Sequence, residues 1–256
     1  MARYGYGNSV CGSRTAVAAS SGGETPFSPA DLSGLSLWLK ADAGVTLLGS
    51  NVTAWADQSG NGKNATSIVP PTFESNAKNG KPAISFAGTN IMTAPAVFSG
   101  SNSRTFFVVY YTDNTEPVSN SIAGQSNLAT PAAGKIFFIQ ARNDFLDSSP
   151  YLAGYSADLA GPAYENDVWK IASADYDGTN ASLYWNGDNY NSDVLTLDTY
   201  NTGNCFTIGC FYDQAEGGYT EFFSGKITEI ITYNRVLNGT ERGQVNTYLN
   251  IKYAIY

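Results

Sequence analysis

The sequence predicts an all-β fold: a sandwich of antiparallel strands, with a short C-terminal helix and an extended N-terminal arm. Three observations carry this. Charged residues make up 14% of the 256 positions, while Gly numbers 26, Tyr 17 and Phe 13. That balance suits short strands and tight turns better than amphipathic helices. Apolar and aromatic runs recur along the chain with turn residues between them, as in a sandwich. Asn186-Gly187 follows Leu183-Tyr184-Trp185, and Asn-Gly suits the two positive-φ positions of a type I′ hairpin turn.

Taken in order, residues 1–30 are rich in Gly, Ser and Ala without a hydrophobic period. They read as a flexible arm, or as a docking segment ordered by a partner chain. The domain then occupies 31–256. Its strand candidates are Leu35–Leu39, Pro82–Phe86, Phe106–Tyr111, Ile136–Ile139, Trp169–Tyr176, Ala181–Trp185, Cys205–Phe211 and Ile227–Tyr233. Near the end, Val245, Tyr248, Leu249 and Lys252 follow helical spacing, and Asn238 precedes Glu241 by three residues as a capping box does. A chain of this length buries a core without covalent help. Cys205 and Cys210, five apart in one apparent strand, point to opposite faces, so no bridge between them is expected.

The formal net charge of −8, with no Lys or Arg cluster, disfavours nucleic acid as a partner. No run of eighteen apolar residues marks a membrane span. The weakly apolar stretch after Val10 is broken by Arg14 and several Gly and Ser residues, so a secretory leader is not expected. Assembly into a virus particle released by lysis is one route outside that needs no leader.

Leu35-Ser36-Leu37-Trp38-Leu39-Lys40-Ala41-Asp42-Ala43-Gly44-Val45 is followed by Val52-Thr53-Ala54-Trp55-Ala56-Asp57-Gln58-Ser59-Gly60-Asn61-Gly62. Later come Gly80-Lys81-Pro82-Ala83-Ile84-Ser85-Phe86 and Phe223-Ser224-Gly225-Lys226-Ile227-Thr228-Glu229-Ile230, running on to Leu249 and Lys252-Tyr253. These ordered blocks resemble the concanavalin A-like, laminin-G-like domains of phage structural proteins and bacterial surface proteins, over roughly residues 32–256. The resemblance implies a two-sheet antiparallel jelly-roll sandwich. The fold hosts lectins, glycosidases, lyases and plain adhesion domains, so function has to be read from the sites.

The sequence contains no His, which removes Ser-His-Asp catalysis and His-metal sites. The Glu-x-Asp-x-x-Glu pattern of jelly-roll glucanases is absent as well. Asp175 and Asp177 share a strand face but lead into Gly178-Thr179-Asn180, which suggests a turn. Glu229 lies in phase with Ile227, Ile231 and Tyr233, so strand alternation buries it. A buried carboxylate needs a partner: either backbone amides, or an Arg such as Arg235 or Arg104. In Asp57-Gln58-Ser59-Gly60-Asn61-Gly62, Asp57 and Asn61 offer oxygen ligands. Calcium recurs on loops of the resembling superfamily, but EF-hand spacing is missing. A tight turn without a cofactor is the first reading and calcium the second.

Sugars present C–H faces to aromatic rings and hydroxyls to Asp, Asn or Gln. Three segments mix these types: Tyr151 to Asn166, Trp185 to Tyr190, and Asp213 to Tyr219. Tyr155, Tyr164, Asp188, Tyr190, Asp213 and Tyr219 are the candidate glycan contacts. The expectation is a non-catalytic, lectin-like module on a virus particle, most naturally a phage, facing glycans and docking to other virion proteins through its arm. A capsid decoration or fibre component without a sugar site is the rival, and a bacterial extracellular adhesin domain is the third reading. Association between copies is left open.

Overall fold

The computed structural model describes residues 26–113, 119–129, 132–142, 148–154, 156–203 and 205–256. A single 3-10 turn at Pro29–Asp31 leads into β1 (Leu35–Lys40), β2 (Val45–Leu48), β3 (Asn51–Trp55), β4 (Ala65–Val69), β5 (Thr72–Lys78), β6 (Lys81–Ala87) and β7 (Ile91–Ala94). The middle of the chain forms β8 (Arg104–Thr112), β9 (Ser119–Gln125), β10 (Phe137–Arg142), β11 (Ser148–Ala153), β12 (Leu159–Ala160), β13 (Trp169–Tyr176), β14 (Asn180–Trp185) and β15 (Asp188–Val194). Then follow β16 (Phe206–Ile208), β17 (Phe211–Asp213), β18 (Gly218–Thr220), β19 (Ser224–Tyr233) and one helix, α1 (Gly239–Tyr253). No helix among the described residues is long and apolar enough to cross a membrane.

Every pairing between these strands is antiparallel. One run goes β15–β14–β13–β8–β19, where β19 pairs with β6 over its first half and with β1 over its second. The other goes β2–β3–β4–β7–β16–β9–β10–β11–β12. The Asn51↔Thr72 pair and the β5–β6 ladder join them. The hydrogen bonding is therefore one nearly closed 17-strand network, with β17–β18 as a separate ribbon, where the sequence suggested two separate sheets. Alternate residues of both runs meet in one core: Leu37, Phe106, Val108, Ala174 and Leu183 from the first, Met92, Ile122, Phe137, Ile139 and Phe206 from the second.

The hairpin forms as expected, with Asn186 at φ 49° and Gly187 at φ 96°. The helix starts at Asn238, whose side chain accepts from Glu241 N while the Glu241 carboxylate accepts from Asn238 N. The run Cys205–Phe211, expected as one strand, breaks at Gly209. There φ is 83°, and a Cβ would stand 2.2 Å from the Phe86 ring. Cys205 and Cys210 are buried free thiols, and burial raises both above the ordinary thiol pKa. Of the segment 1–30, residues 26–30 are described. Phe27 packs edge-on to Tyr248 of α1, and Pro29 O accepts from the Tyr233 hydroxyl.

Three buried charges show how strand alternation meets helix packing. A register shift between Ile227 and Glu229 in the β19–β8 ladder changes the phase. Ile227 and Ile230 stay in the main core, while Ile231 and Tyr233 face α1. Glu229 thus lies beneath the helix, 1% exposed, and its partner is neither Arg235 nor Arg104. Glu229 Oε1 accepts from Trp38 Nε1 at 2.6 Å and from the Tyr248 hydroxyl at 3.0 Å, and Oε2 accepts from Lys252 Nζ at 2.8 Å and from the Tyr253 hydroxyl at 2.7 Å. Arg235 is held by Glu241 at 2.8 Å. Arg104 is buried in the main core region, donating to Thr199 Oγ1, Gly100 O and Asn102 O. Lys170 is fully buried, donating to Glu165 O at 2.9 Å, and burial lowers its pKa to about 8.

Glu229→Ala strands two hydroxyls, an indole N–H and half of the Lys252 ion pair. Urea denaturation should show a loss of about 3–5 kcal/mol. Exposed Asp188→Ala should stay within about 0.5 kcal/mol of wild type.

Lys170 is charged in the unfolded chain up to its ordinary pKa of 10.5 but, folded, only up to about 8. The unfolded state therefore binds more protons between those values, and stability rises with pH across that window. The difference in stability between wild type and Lys170→Met should shift in favour of wild type by a few kcal/mol, in order of magnitude, from pH 8 to pH 10. Comparison with the variant cancels the buried tyrosines, whose raised pKa values act in the opposite sense at higher pH.

Candidate functional site

Alternation along β10 sends Phe137, Ile139 and Ala141 into the main core and Phe138, Gln140 and Arg142 to the opposite face. On that outer face Ile136, Phe138, Tyr151, Ala153 and Phe211 form a small apolar cluster. Around it opens a cleft of about 310 Å³, lined by Gln140, Arg142, Tyr151, Ser156, Asp158, Phe211, Asp213 and Glu221, among others. Strands β10 and β11 supply its floor, and the β17–β18 ribbon with the residue that follows it closes one side.

Its polar groups are held in place. Gln140 Nε2 donates to Ser121 Oγ at 2.8 Å and to the Glu221 carboxylate, which also accepts from Ser121 Oγ at 3.0 Å. Arg142 Nη1 donates to Gln140 Oε1 at 3.3 Å, and its guanidinium lies 5.3 Å over the Tyr151 ring. Asp158 and Asp213 each use Oδ1 for a local backbone amide, from Gly154 and Ala215 respectively. Ser156 and Glu221 both have positive φ, 60° and 48°, a conformation that costs energy in residues with a Cβ. Two such residues on one cleft indicate that its rim is held by the surrounding fold.

The candidates read from sequence do not converge as a set. Asp213 lines the cleft, and Tyr219 sits on the ribbon beside it, its ring 5.0 Å edge-on to Tyr212. Tyr164 is half-buried against the main core, 5.6 Å from the Lys170 ammonium. Asp188 and Tyr190 are exposed on β15, a different strand edge. Tyr155 lies outside the described residues. The expected ring stacking is reduced, because Tyr151 is 7% exposed with Arg142 above it and Phe211 is 6% exposed. Gln140, Arg142 and Glu221 were missed. Extending the two-residue alternation of Ile136–Ile139 by three positions would have placed Gln140 and Arg142 on the outer face.

Elsewhere, the Asp57 loop is closed on itself. Asp57 Oδ1 accepts from Trp38 N and Ser59 N, Oδ2 accepts from Ser59 Oγ and Lys63 N, and Asn61 Nδ2 donates to Leu35 O and Ser59 Oγ. No group of three His, Cys, Asp or Glu side chains among the described residues is placed to hold a metal. Asp177 caps its own turn through Thr179 N and Asn180 N, whereas Asp175 faces Arg242 of α1 at 3.5 Å. A larger groove of about 770 Å³ runs along α1. It is more apolar, and its Asp42 and Lys252 are already paired with each other at 2.9 Å.

Comparison with solved structures shows the fold. Domain 4 of AbnA, a GH43 extracellular arabinanase from Geobacillus stearothermophilus solved with arabinotriose, is 15% identical with a TM-score of 0.60, over 83% of this chain and 98% of that one. Trypanosoma rangeli sialidase is 15% identical with a TM-score of 0.56, over 87% of this chain and 34% of the sialidase. The binding domain of Paraclostridial Mosquitocidal Protein 1 is 11% identical with a TM-score of 0.58, over 87% of this chain and 54% of that one. This chain thus spans about a third of the sialidase and half of the mosquitocidal structure. A search of curated proteins finds no significant match. The sequence model of one family matches residues 87–241, well over half of the chain. The ordered sequence blocks, the antiparallel network and that match together make this chain a member of the concanavalin A-like lectin/glucanases superfamily.

Proposed function

We propose that the chain is a non-catalytic carbohydrate-binding module and that the cleft bounded by Gln140, Arg142, Asp158, Asp213 and Glu221 is its sugar site. The observation that carries this is convergence. Side chains from β10, β17 and two loops direct an amide, a guanidinium and three carboxylates to one cleft beside an apolar floor. Such a mixture suits the hydroxyls of a saccharide, with the apolar floor beneath its C–H faces. The covered rings of Tyr151 and Phe211 mean that hydrogen bonding contributes more than stacking.

The folding of the two strand runs around one core fits the jelly-roll sandwich of the superfamily, and the cleft would then lie on the outside of one layer. The arabinanase domain was solved with arabinotriose, which makes arabino-oligosaccharides the first probes. Non-catalysis is part of the proposal, resting on the absence of His and of the glucanase carboxylate pattern. Display on a virus particle, with the segment before the domain as docking arm, is the setting we propose from the likeness of the sequence blocks to phage structural proteins.

The protein, coupled to beads so that weak sites act together, should retain arabino-oligosaccharides or surface polysaccharides on a glycan array without releasing reducing ends. Arg142→Ala and Asp213→Ala should each weaken retention about tenfold or more. Tyr190→Ala should not, and circular dichroism should show all three variants folded. Silence of the multivalent protein on every glycan would sink the proposal and favour a structural decoration role.

A further inference from the structure

We infer that the free edge of β2 is a pairing surface for a second copy of this chain. Among the described strands the one ladder that includes β2 is with β3, so its outer edge offers amides and carbonyls to another strand. The side chains at this end of the molecule are apolar and exposed: Leu48 at 73%, Leu47 at 43%, Ile68 at 55% and Val69 at 38%. They belong together, because β3 carries β2 on one side and β4 on the other. Ser67 Oγ donates to Val52 O at 2.6 Å, which sets the residue before Ile68 against Val52, and Val52 pairs with Leu47.

Charge argues for a second copy as the occupant. The sequence has 14 basic and 22 acidic residues, yet none lies between positions 43 and 56 or between 64 and 73. Two molecules of net charge −8 approach with least repulsion where neither carries charge. A charged partner gains nothing on this surface. Of the devices that guard edge strands, β2 has a short length of four residues and one register shift, but neither Lys nor Pro. Its one irregularity is the register shift between Thr46 and Leu47, and both leucines lie beyond it, toward the hairpin tip. Antiparallel pairing of β2 with its own copy is isologous, so each molecule sets Leu47 and Leu48 against those of the other. The inference stands independently of what the cleft binds.

Sedimentation equilibrium of the full chain under reducing conditions, which removes any disulfide through Cys11, reads this directly. From about 1 to about 100 µM, wild type should pass from monomer to dimer. Leu48→Lys should raise the dissociation constant at least about tenfold by placing like charges across the axis. Ile251→Lys, at a helix position 76% exposed, should leave it unchanged. Circular dichroism confirms that each variant is folded. A wild type that stays monomeric throughout overturns the inference and gives the edge to solvent or to a strand of another protein. A dimer that survives both Leu48→Lys and Leu47→Glu overturns it as well.

Discussion

The fold depends most on one buried carboxylate. Glu229 sits in the middle of β19, the strand that pairs with β8, β6 and β1, and it accepts hydrogen bonds from Trp38 of β1 and from Tyr248, Lys252 and Tyr253 of α1. A charge this deep is tolerable only with every acceptor position filled. Filling them requires the helix to lie across β1 and β19 in one orientation. Once it does, Val245, Leu249 and Tyr253 cover Trp38, Phe107, Ile231 and Tyr233 in a second apolar cluster. Strands β8, β13 and β19 are then dry on both faces, which explains their nearly unbroken burial.

Covering one run has a consequence for the other. The helix closes the outer face of the β8–β19 run, while among the described residues the outer face around β10 carries a small apolar cluster and the short β17–β18 ribbon. That leaves room for polar side chains to gather where solvent can reach them. Gln140, Arg142 and Glu221 brace one another there, and the positive φ of Ser156 and Glu221 shows backbone fixed by its surroundings. A site held by strands and by mutual hydrogen bonds loses little order on binding a ligand, and preorganisation of this kind favours affinity.

Charge is handled differently at three levels. Deep inside, Glu229 and Arg104 are surrounded by hydrogen-bonding partners, and Lys170 relies on carbonyl and hydroxyl contacts that leave its proton loosely held. At the cleft, charges of both signs stand together without being sealed off. At the β2 edge charge is missing altogether. The surface is therefore divided into a cleft where charges of both signs gather and an edge that carries none.

The sequence by itself determined the all-β class, the Asn186-Gly187 hairpin, the capped helix from Asn238 and the burial of Glu229. Each of these is written in local residue order: a turn dipeptide with its own φ preference, a capping pair three residues apart, a two-residue alternation. The polar strands β5, β15 and β18 were not legible, because they owe their shape to neighbours and lack a hydrophobic period, and β2, with four residues, is too short to show one. Lys252 as the partner of Glu229, the phase change before Glu229 and the break at Gly209 were decided by tertiary structure alone. In each case the cause is a contact from far along the chain: the helix, the β8 ladder, the Phe86 ring. The cleft divides the same way. Asp213 was named from its segment's chemistry, but Gln140, Arg142 and Glu221 come together only when β10 lies beside the residue that follows the β17–β18 ribbon, 81 positions later in the Gln140–Glu221 contact, and no local pattern encodes that meeting.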